Sequence, residues 1–516
     1  MQVPLDALPD DVEMLHRLVR DMADVVESKS SALDESRTEI ARLRQIIREL
    51  QRTRFGRSAE HLDPGQLALA LEAAEADLAN AETAQPAPVP PPASCALPPR
   101  PHRTVLPAHL PRLESAVPVP HQCCPDCGGA LRDAGESVAE MLDWVPAQVR
   151  VLRIRRPKCA CRACGTLHQA PAPERILAKG LATPALVAHV LVSRYCDHLP
   201  LHRQSRILAR HGAPIARSTL CDWVGQACWW LEPLHARLMT HVLAGERVFA
   251  DDTPLPVLQP GKGRTQTGRL WAYARDDRPW GGETPPAVAF RYEPDRKAVR
   301  PVEHLRGYRG ILQVDGYGGF EALGEGGRMT LAACWAHWRR RFYDLHLAGS
   351  PIASEALVRI AELYEVEARI RGQPPQERQA ARQAGSRSMA EALRSWLEAR
   401  LAQLPNRSRL AEAIRYGLGR WTGLTRFLDD GRVDLDTNPV ERAIRPVALG
   451  RKNSLFAGSE GGAGRWAIVA SLVETARLNG VEPYAWLRGT LTRMVEGHPR
   501  NRIDELMPWK AEPSHG

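Results

Sequence analysis

"ILQVDGYGGF", residues 311–320, is apolar up to Asp315 and rich in glycine after it. An acidic residue at the end of a buried strand is costly unless it is hydrogen-bonded or holds a cation. A second stretch, "VFADDTPLPV" (residues 248–257), places Asp251 and Asp252 inside another strand-like run. Either aspartate taken alone is equally consistent with a turn residue. If the two strands lie side by side, however, their acids meet, and mutual repulsion favours a bound cation.

A third carboxylate lies in "DTNPVERAIRPVALGRKN" (residues 436–453), where Glu441 is set among Arg442, Arg445, Arg451 and Lys452. One reading is helix capping. Asn438 serves as N-cap, Pro439 takes the first helical position and Glu441 the third. The other is a metal-binding carboxylate beside cations that hold phosphates. The two are compatible, because the third position points its side chain past the helix end. Arg445 lies one turn on, over the same face. Pro446 predicts a kink or break, so Arg451 and Lys452 are expected to act from a loop, with a solvated basic face as the alternative. Together, Asp251, Asp315 and Glu441 would make an oxygen-rich site for Mg²⁺ or Mn²⁺. Two such ions about 4 Å apart suit an in-line phosphoryl transfer.

The composition fits a polyanionic partner. The chain of 516 residues carries 69 Lys and Arg against 60 Asp and Glu, a net charge of +9, which favours nucleic acid over an acidic substrate. That length exceeds one ordinary core and predicts several domains. No run of about 18 apolar residues is present, so no membrane span is expected. The polar, acidic start "MQVPLDALPDDVEMLHRL" does not read as a secretory signal. A cytoplasmic location is expected, where eleven cysteines are metal ligands or buried thiols more often than disulfides.

Leu15, Leu18, Met22 and Val25, then Leu33, Ile40 and Ile47, keep an interrupted heptad spacing. This predicts a short self-associating coiled coil, or else one amphipathic helix on its own domain. A basic segment, "RELQRTRFGRSAEHL", follows, and then a Pro- and Ala-rich linker over residues 81–103. "CPDCGG" and "CRACGT" supply Cys124, Cys127, Cys161 and Cys164. Two C-x-x-C knuckles make a closed four-thiolate site for a structural Zn²⁺; a redox pair is the alternative. Between Leu199 and Val224 the pattern suggests a helix-turn-helix. Gly212 stops a helix bearing Leu201, Ile207 and Leu208, and Ser218 caps a second with Leu220, Trp223 and Val224. Arg217, Ser218 and Thr219 would then meet a major groove; an ordinary helical hairpin reads equally. "RVFADDTPLPVL", "GRLWAYAR", "PAVAFRYE" and "GILQVDGYGGF" read as strands, and residues 350–430 return to helical spacing.

These pieces, in this order, resemble the transposases of the insertion-sequence sixty-six family, TnpC type. The resemblance is carried by "RFGRSAEHL", the cysteine module, "LPLHRQSRILARHG", "FADDTPL", "QVDGYGGF", "CWAHWRRRFYD", "NPVERAIRPVALGRKNSLFAGSEGGA" and "SLVETARLNGVEPYAWL". It implies a multidomain α+β protein of the DDE superfamily. Its parts would be a coiled-coil helix and basic arm (1–80), a linker (81–110), a zinc-ribbon-like module (111–172) and a helix-turn-helix-like domain (173–245). An RNase H-like α/β catalytic core (246–345 and 431–465) would follow, interrupted by a helical insertion (346–430) and ended by a C-terminal element (466–516). It implies Asp251, Asp315 and Glu441 as catalytic acids. The family's usual first site is D-E-T, here Asp251-Asp252-Thr253, and the choice of Asp251 rests on that match. Cys334, His337, Arg339 and Arg340 also match; a core helix with a basic edge is expected there, with a second zinc site as the alternative. The implied activity is metal-dependent cleavage and strand transfer of double-stranded DNA at inverted repeats and target. The implied setting is a homo-oligomer at a bacterial nucleoid, aided by two small proteins of the same element. A catalytically silent end-binding protein and a non-specific nuclease are the competing functions.

Overall fold

The computed structural model describes residues 149–155, 158–160, 167–169, 173–177, 181–259, 261–324 and 327–511. The expected coiled coil, the linker and the zinc ligands Cys124, Cys127, Cys161 and Cys164 lie outside these residues. Two short antiparallel strands, β1 (Lys158–Ala160) and β2 (Leu167–Gln169), pair Cys159 with His168 and bracket the second C-x-x-C in the sequence.

Three helices follow: α1 (Pro184–Tyr195), α2 (Leu201–Arg210) and α3 (Arg217–Leu243). The α2–α3 turn passes through Gly212 at φ +80°, a conformation that glycine adopts without strain. Helix α3 begins at Arg217, with its N-cap at Ala216, two residues ahead of the expected cap at Ser218, and Ala216 offers no side-chain bond. Leu220, Trp223 and Val224 are buried as their spacing implies, but the apolar stripe continues through Leu231, Leu234, Leu238 and Val242. At 27 residues, running straight through Pro233, α3 is a core helix along its whole length.

The sheet has five strands: β3 (Arg247–Gln259), β4 (Arg264–Arg275), β5 (Ala287–Glu293), β6 (Ile311–Val314) and β7 (Thr330–Ala333). Their order is β5-β4-β3-β6-β7, with β3, β4 and β5 antiparallel and β6 and β7 parallel to β3. A short helix, α4 (Val299–His304), lies between β5 and β6. Strand β3 pairs with β4 along its length but with β6 only up to Ala250. Beyond that point no strand among the described residues lies beside its other edge, which meets Ala457 instead: Ala457 N–H donates to Pro256 O at 2.9 Å and Leu258 N–H donates to Ala457 O at 2.8 Å. Pro254 and Pro256 sit there, where a missing N–H breaks no ladder bond.

After β7 comes a helical insertion: α5 (Trp335–Leu347), α6 (Pro351–Ile370), α7 (Pro375–Ala381), a π-helical turn at Arg382–Ser386, α8 (Arg387–Leu401) and α9 (Arg409–Leu418). Trp335, Trp338, Phe342, Ile360, Leu363, Leu393 and Leu397 give it a core of its own. The chain then returns through α10 (Asn438–Ser454), α11 (Glu460–Leu478) and α12 (Pro483–Val495). Helices α1–α3, the sheet and α10–α12 bury one continuous core. Helix α11 also covers the outer edge of β5. Ser471 Oγ accepts from the Phe290 N–H at 2.7 Å, and Thr475 Oγ1 accepts from Val288 N–H at 3.1 Å. That shields an edge that would otherwise template further pairing. Among the described residues no helix is long and apolar enough to cross a membrane.

Candidate active site

The parallel pairing of β3 with β6 places the first two acids. Ala250 is opposite Val314, the last residue of β6, so Asp251 and Asp315 follow at the same level on neighbouring strands. Side chains alternate along a strand, and this separates Asp251 from Asp252. Asp252 is buried and pairs with Arg296 Nη2 at 2.8 Å and Arg269 Nη1 at 3.1 Å. Burial raises its pKa, and the two arginines oppose that rise. Asp251 has no such partner. Burial comes first, and then Asp315, Asp252 and Glu441 push its carboxyl well above the usual range against the pull of His337. The parity of the strand therefore gives Asp252 to an ion-pair cluster and Asp251 to a cluster of acids.

Asp315 is held by the loop after β6, where its Oδ1 accepts from the Tyr317 N–H at 3.0 Å. Arg296 stacks 4.0 Å from the Tyr317 ring centre and lies 4.0 Å from Asp315 Oδ2. A Cβ at Gly316 would fall 1.8 Å from the Tyr416 hydroxyl, so a larger residue there would displace that ring.

Glu441 reaches the cluster because residues 435–437 dock on the start of α5. The first-turn N–H groups of a helix lack partners of their own. Here Trp335 N–H donates to Leu435 O at 2.9 Å and Ala336 N–H to Asp436 Oδ1 at 2.9 Å. Tyr364 donates to the same Asp436 oxygen at 2.7 Å. Burial, with some repulsion from Glu441, pushes Asp436 up to about 6. Helix α10 then starts one residue earlier than expected, with Thr437 in the cap position, and Asn438 is its first residue. The Thr437 hydroxyl donates to Glu441 Oε1 at 2.6 Å, while His337 Nδ1 lies 3.7 Å from that oxygen. Burial disfavours the His337 cation, but Cys334, Glu441 and Asp251 outweigh it and raise its pKa well above the usual value.

Pro446 does not break α10, which runs all 17 residues. Val440, Ala443, Ile444, Val447 and Ala448 are buried, and packing on both sides of the proline offsets the lost hydrogen bond. Arg451 and Lys452 thus lie on the last helical turn, not on a loop. They differ in direction: Arg451 is buried and donates to Pro254 O, whereas Lys452 is exposed, as are Arg442 and Arg445. Arg451 is built into the β3 edge. Arg217 and Ser218 are exposed at the start of α3 and Thr219 is half-buried. The sequence held no signal for Arg269, Arg296 or Thr437. Their partners are distant in the chain or a single turn away in an unremarkable stretch.

Comparison with known proteins gives matches along most of the chain. A family model described as "Transposase IS66 family" matches residues 179–465, and one described as "IS66 C-terminal element" matches 471–509. A "zinc-finger binding domain of transposase IS66" matches 121–165 and a "Transposase C of IS166 homeodomain" matches 42–114. The chain is 41% identical over 545 residues to the uncharacterized protein y4qI of Sinorhizobium fredii (strain NBRC 101917 / NGR234), covering 99% of both. It is 41% identical over 537 residues to y4jD of the same strain, covering 99% of this chain and 98% of that one.

Proposed function

Because this chain belongs to the IS66 transposase family, we propose that it is a DDE transposase that binds insertion-sequence ends and catalyses cleavage and strand transfer of DNA. The reading rests chiefly on Asp251 and Asp315, which lie side by side just past the Ala250–Val314 pair and share their surroundings with Glu441. Asp251 within β3 and Asp315 just past the end of β6, on adjacent parallel strands of a mixed sheet, support an RNase H-like core interrupted by the insertion.

The donor set suits a hard divalent cation, since all three groups offer carboxylate oxygen and Asp251 lacks a cationic partner of its own. Asp251, Asp315 and Glu441 would hold Mg²⁺ or Mn²⁺, which when bound activates a water or 3′-hydroxyl and stabilises the leaving oxygen. The chain's own contribution is alignment. The strand register sets Asp251 against Asp315, the Tyr317 N–H orients Asp315, and Thr437 orients Glu441. Exposed Arg442, Arg445 and Lys452 lie on the helix that carries Glu441 and would bind phosphates flanking the cut. Arg217, Ser218 and Thr219 would contact DNA from the start of α3. The C-x-x-C pairs would hold a structural zinc, and DNA ends and target would be bound by a homo-oligomer, with accessory proteins of the element as further partners.

The test uses purified protein and a duplex carrying the element's inverted repeats. Asp251→Asn, Asp315→Asn and Glu441→Gln should each lower Mg²⁺-dependent cleavage at least about a thousandfold, roughly 4 kcal/mol of barrier, while still binding the duplex. Glu441→Gln can still accept from the Thr437 hydroxyl, so normal cleavage by that variant would return Glu441 to a purely structural role. Equal cleavage of DNA without the repeats would point instead to a non-specific nuclease.

A further inference from the structure

Beside the three carboxylates the fold gathers donors of a softer kind. Cys334 precedes α5 and His337 lies in its first turn, a C-x-x-H spacing that puts both on one side of the helix. The Cys334 sulfur, a His337 ring nitrogen and a Glu441 oxygen all lie within 4.8 Å of one another. A tetrahedral ion with bonds of about 2.0–2.3 Å spaces its ligand atoms roughly 3.3–3.8 Å apart, so a small rotation of these side chains closes the set.

Two further observations point to a ligand. His337 Nδ1 is buried with no well-formed hydrogen bond, although it lies 3.7 Å from Glu441 Oε1 and its ring interacts with Cys334, and a metal ion would satisfy it better than either neighbour does. The sulfur and the carboxylate are also both held by one residue. Thr437 donates its N–H to Cys334 Sγ at 3.4 Å and its hydroxyl to Glu441 Oε1 at 2.6 Å. Such donors to a ligating thiolate and carboxylate orient metal ligands. Sulfur and imidazole are poor partners for Mg²⁺ but good ones for zinc.

We propose that Cys334, His337 and Glu441 bind one Zn²⁺ ion, additional to any held by the C-x-x-C pairs, and that this ion competes with Mg²⁺ for Glu441. Binding releases the Cys334 thiol proton to solvent and leaves water in the fourth position. The zinc site stands on its own geometry; the competition rests on the reading of Glu441 as a magnesium carboxylate. Zinc drawn to the sulfur side pulls that carboxylate away from Asp251 and Asp315, so it inhibits cleavage.

The experiment uses the full chain, dialysed against buffered micromolar zinc, with the metal counted per chain. Wild type should hold one zinc more than Cys334→Ser, whose hydroxyl is well suited to the start of a helix, and one more than His337→Gln. In Mg²⁺-dependent cleavage, each protein compared with its own zinc-free rate, both variants should need at least tenfold more zinc for half-inhibition. Equal zinc content in wild type and both variants overturns the site. A zinc difference without a change in inhibition overturns the competition. Full Mg²⁺-dependent activity of Glu441→Gln, with the zinc difference between wild type and Cys334→Ser intact, would remove the magnesium reading and leave the zinc site standing.

Discussion

Two clusters of buried charge both begin on β3, one at Arg247 and the other at Asp251, and they are built on opposite principles. Around Arg247 opposite charges are paired. Asp434 accepts from Arg247 Nη1 at 2.5 Å and Arg378 Nη2 at 2.8 Å, and Glu367 pairs with Arg378 at 3.2 Å and Arg382 at 2.7 Å. Arg382 also donates to the carbonyls of Phe427 and Asp430. Burial works against the Asp434 charge, but Arg247 and Arg378 outweigh it and hold its carboxyl below the usual range. Around Asp251 the neighbours are other acids, and its pKa moves the opposite way. The first cluster ties the insertion to the sheet. In the second, burial and then Asp315, Asp252 and Glu441 outweigh the pull of His337 on Asp251.

Removing a carboxylate should therefore have opposite consequences in the two places. Asp434→Asn leaves Arg247 and Arg378 short of a partner and should cost about 3–5 kcal/mol in urea unfolding. Because the folded pKa of Asp434 is depressed, its contribution is present above the unfolded value near 3.9 and is lost as pH falls through the folded one. The gap between wild type and variant should accordingly shrink below about pH 4. A gap that stays constant there would mean that the cluster is held by packing and not by charge.

Asp252→Asn is a smaller version of the same experiment on the strand that carries Asp251. It removes a partner of Arg296 and Arg269 and should cost about 1–3 kcal/mol, with cleavage per folded molecule retained. Loss of cleavage at unchanged stability would exchange the roles assigned to the two aspartates. Asp251→Asn should do the reverse. In metal-free buffer it relieves repulsion and should stabilise the fold by roughly 1 kcal/mol or more, while abolishing the rise in melting temperature that Mg²⁺ gives the wild type. Destabilisation in metal-free buffer would show that the acids are not in conflict.

The smallest effects belong to the exposed cations of α10. Arg445→Ala and Lys452→Ala should each reduce the salt dependence of DNA binding by about one counterion. Arg451→Ala, by contrast, should change thermal stability, because its guanidinium is built into the β3 edge. Identical salt slopes for wild type and the two exposed variants would move the DNA path off this helix.

Much of the site was legible because it follows from short-range pattern. The apolar run ending at Asp315, the glycines after it, and the Asn-Pro ahead of Glu441 each report local backbone, and the structure contains those elements within a few residues. The four-residue β7 was not legible, since so short a stretch carries no periodicity. The helix caps at α3 and α10 came out two residues and one residue from their expected places, because capping residues compete over neighbouring positions.

The sequence by itself determined which strands carry acids, where helices α3 and α10 begin to within two residues, and that a surplus of cations surrounds Glu441. It did not determine which of Asp251 and Asp252 joins the acid cluster, since the two faces of a strand are equivalent until a neighbouring element covers one of them. Nor did it show that Arg451 packs on β3 while Lys452 faces solvent, or that Pro446 leaves α10 unbroken. Those outcomes depend on contacts across the chain, such as Arg451 with Pro254, or Arg247 with Asp434, partners separated by 197 and 187 residues. The energy of a buried charge depends on what lies within a few ångströms of it, and only the tertiary structure decides that.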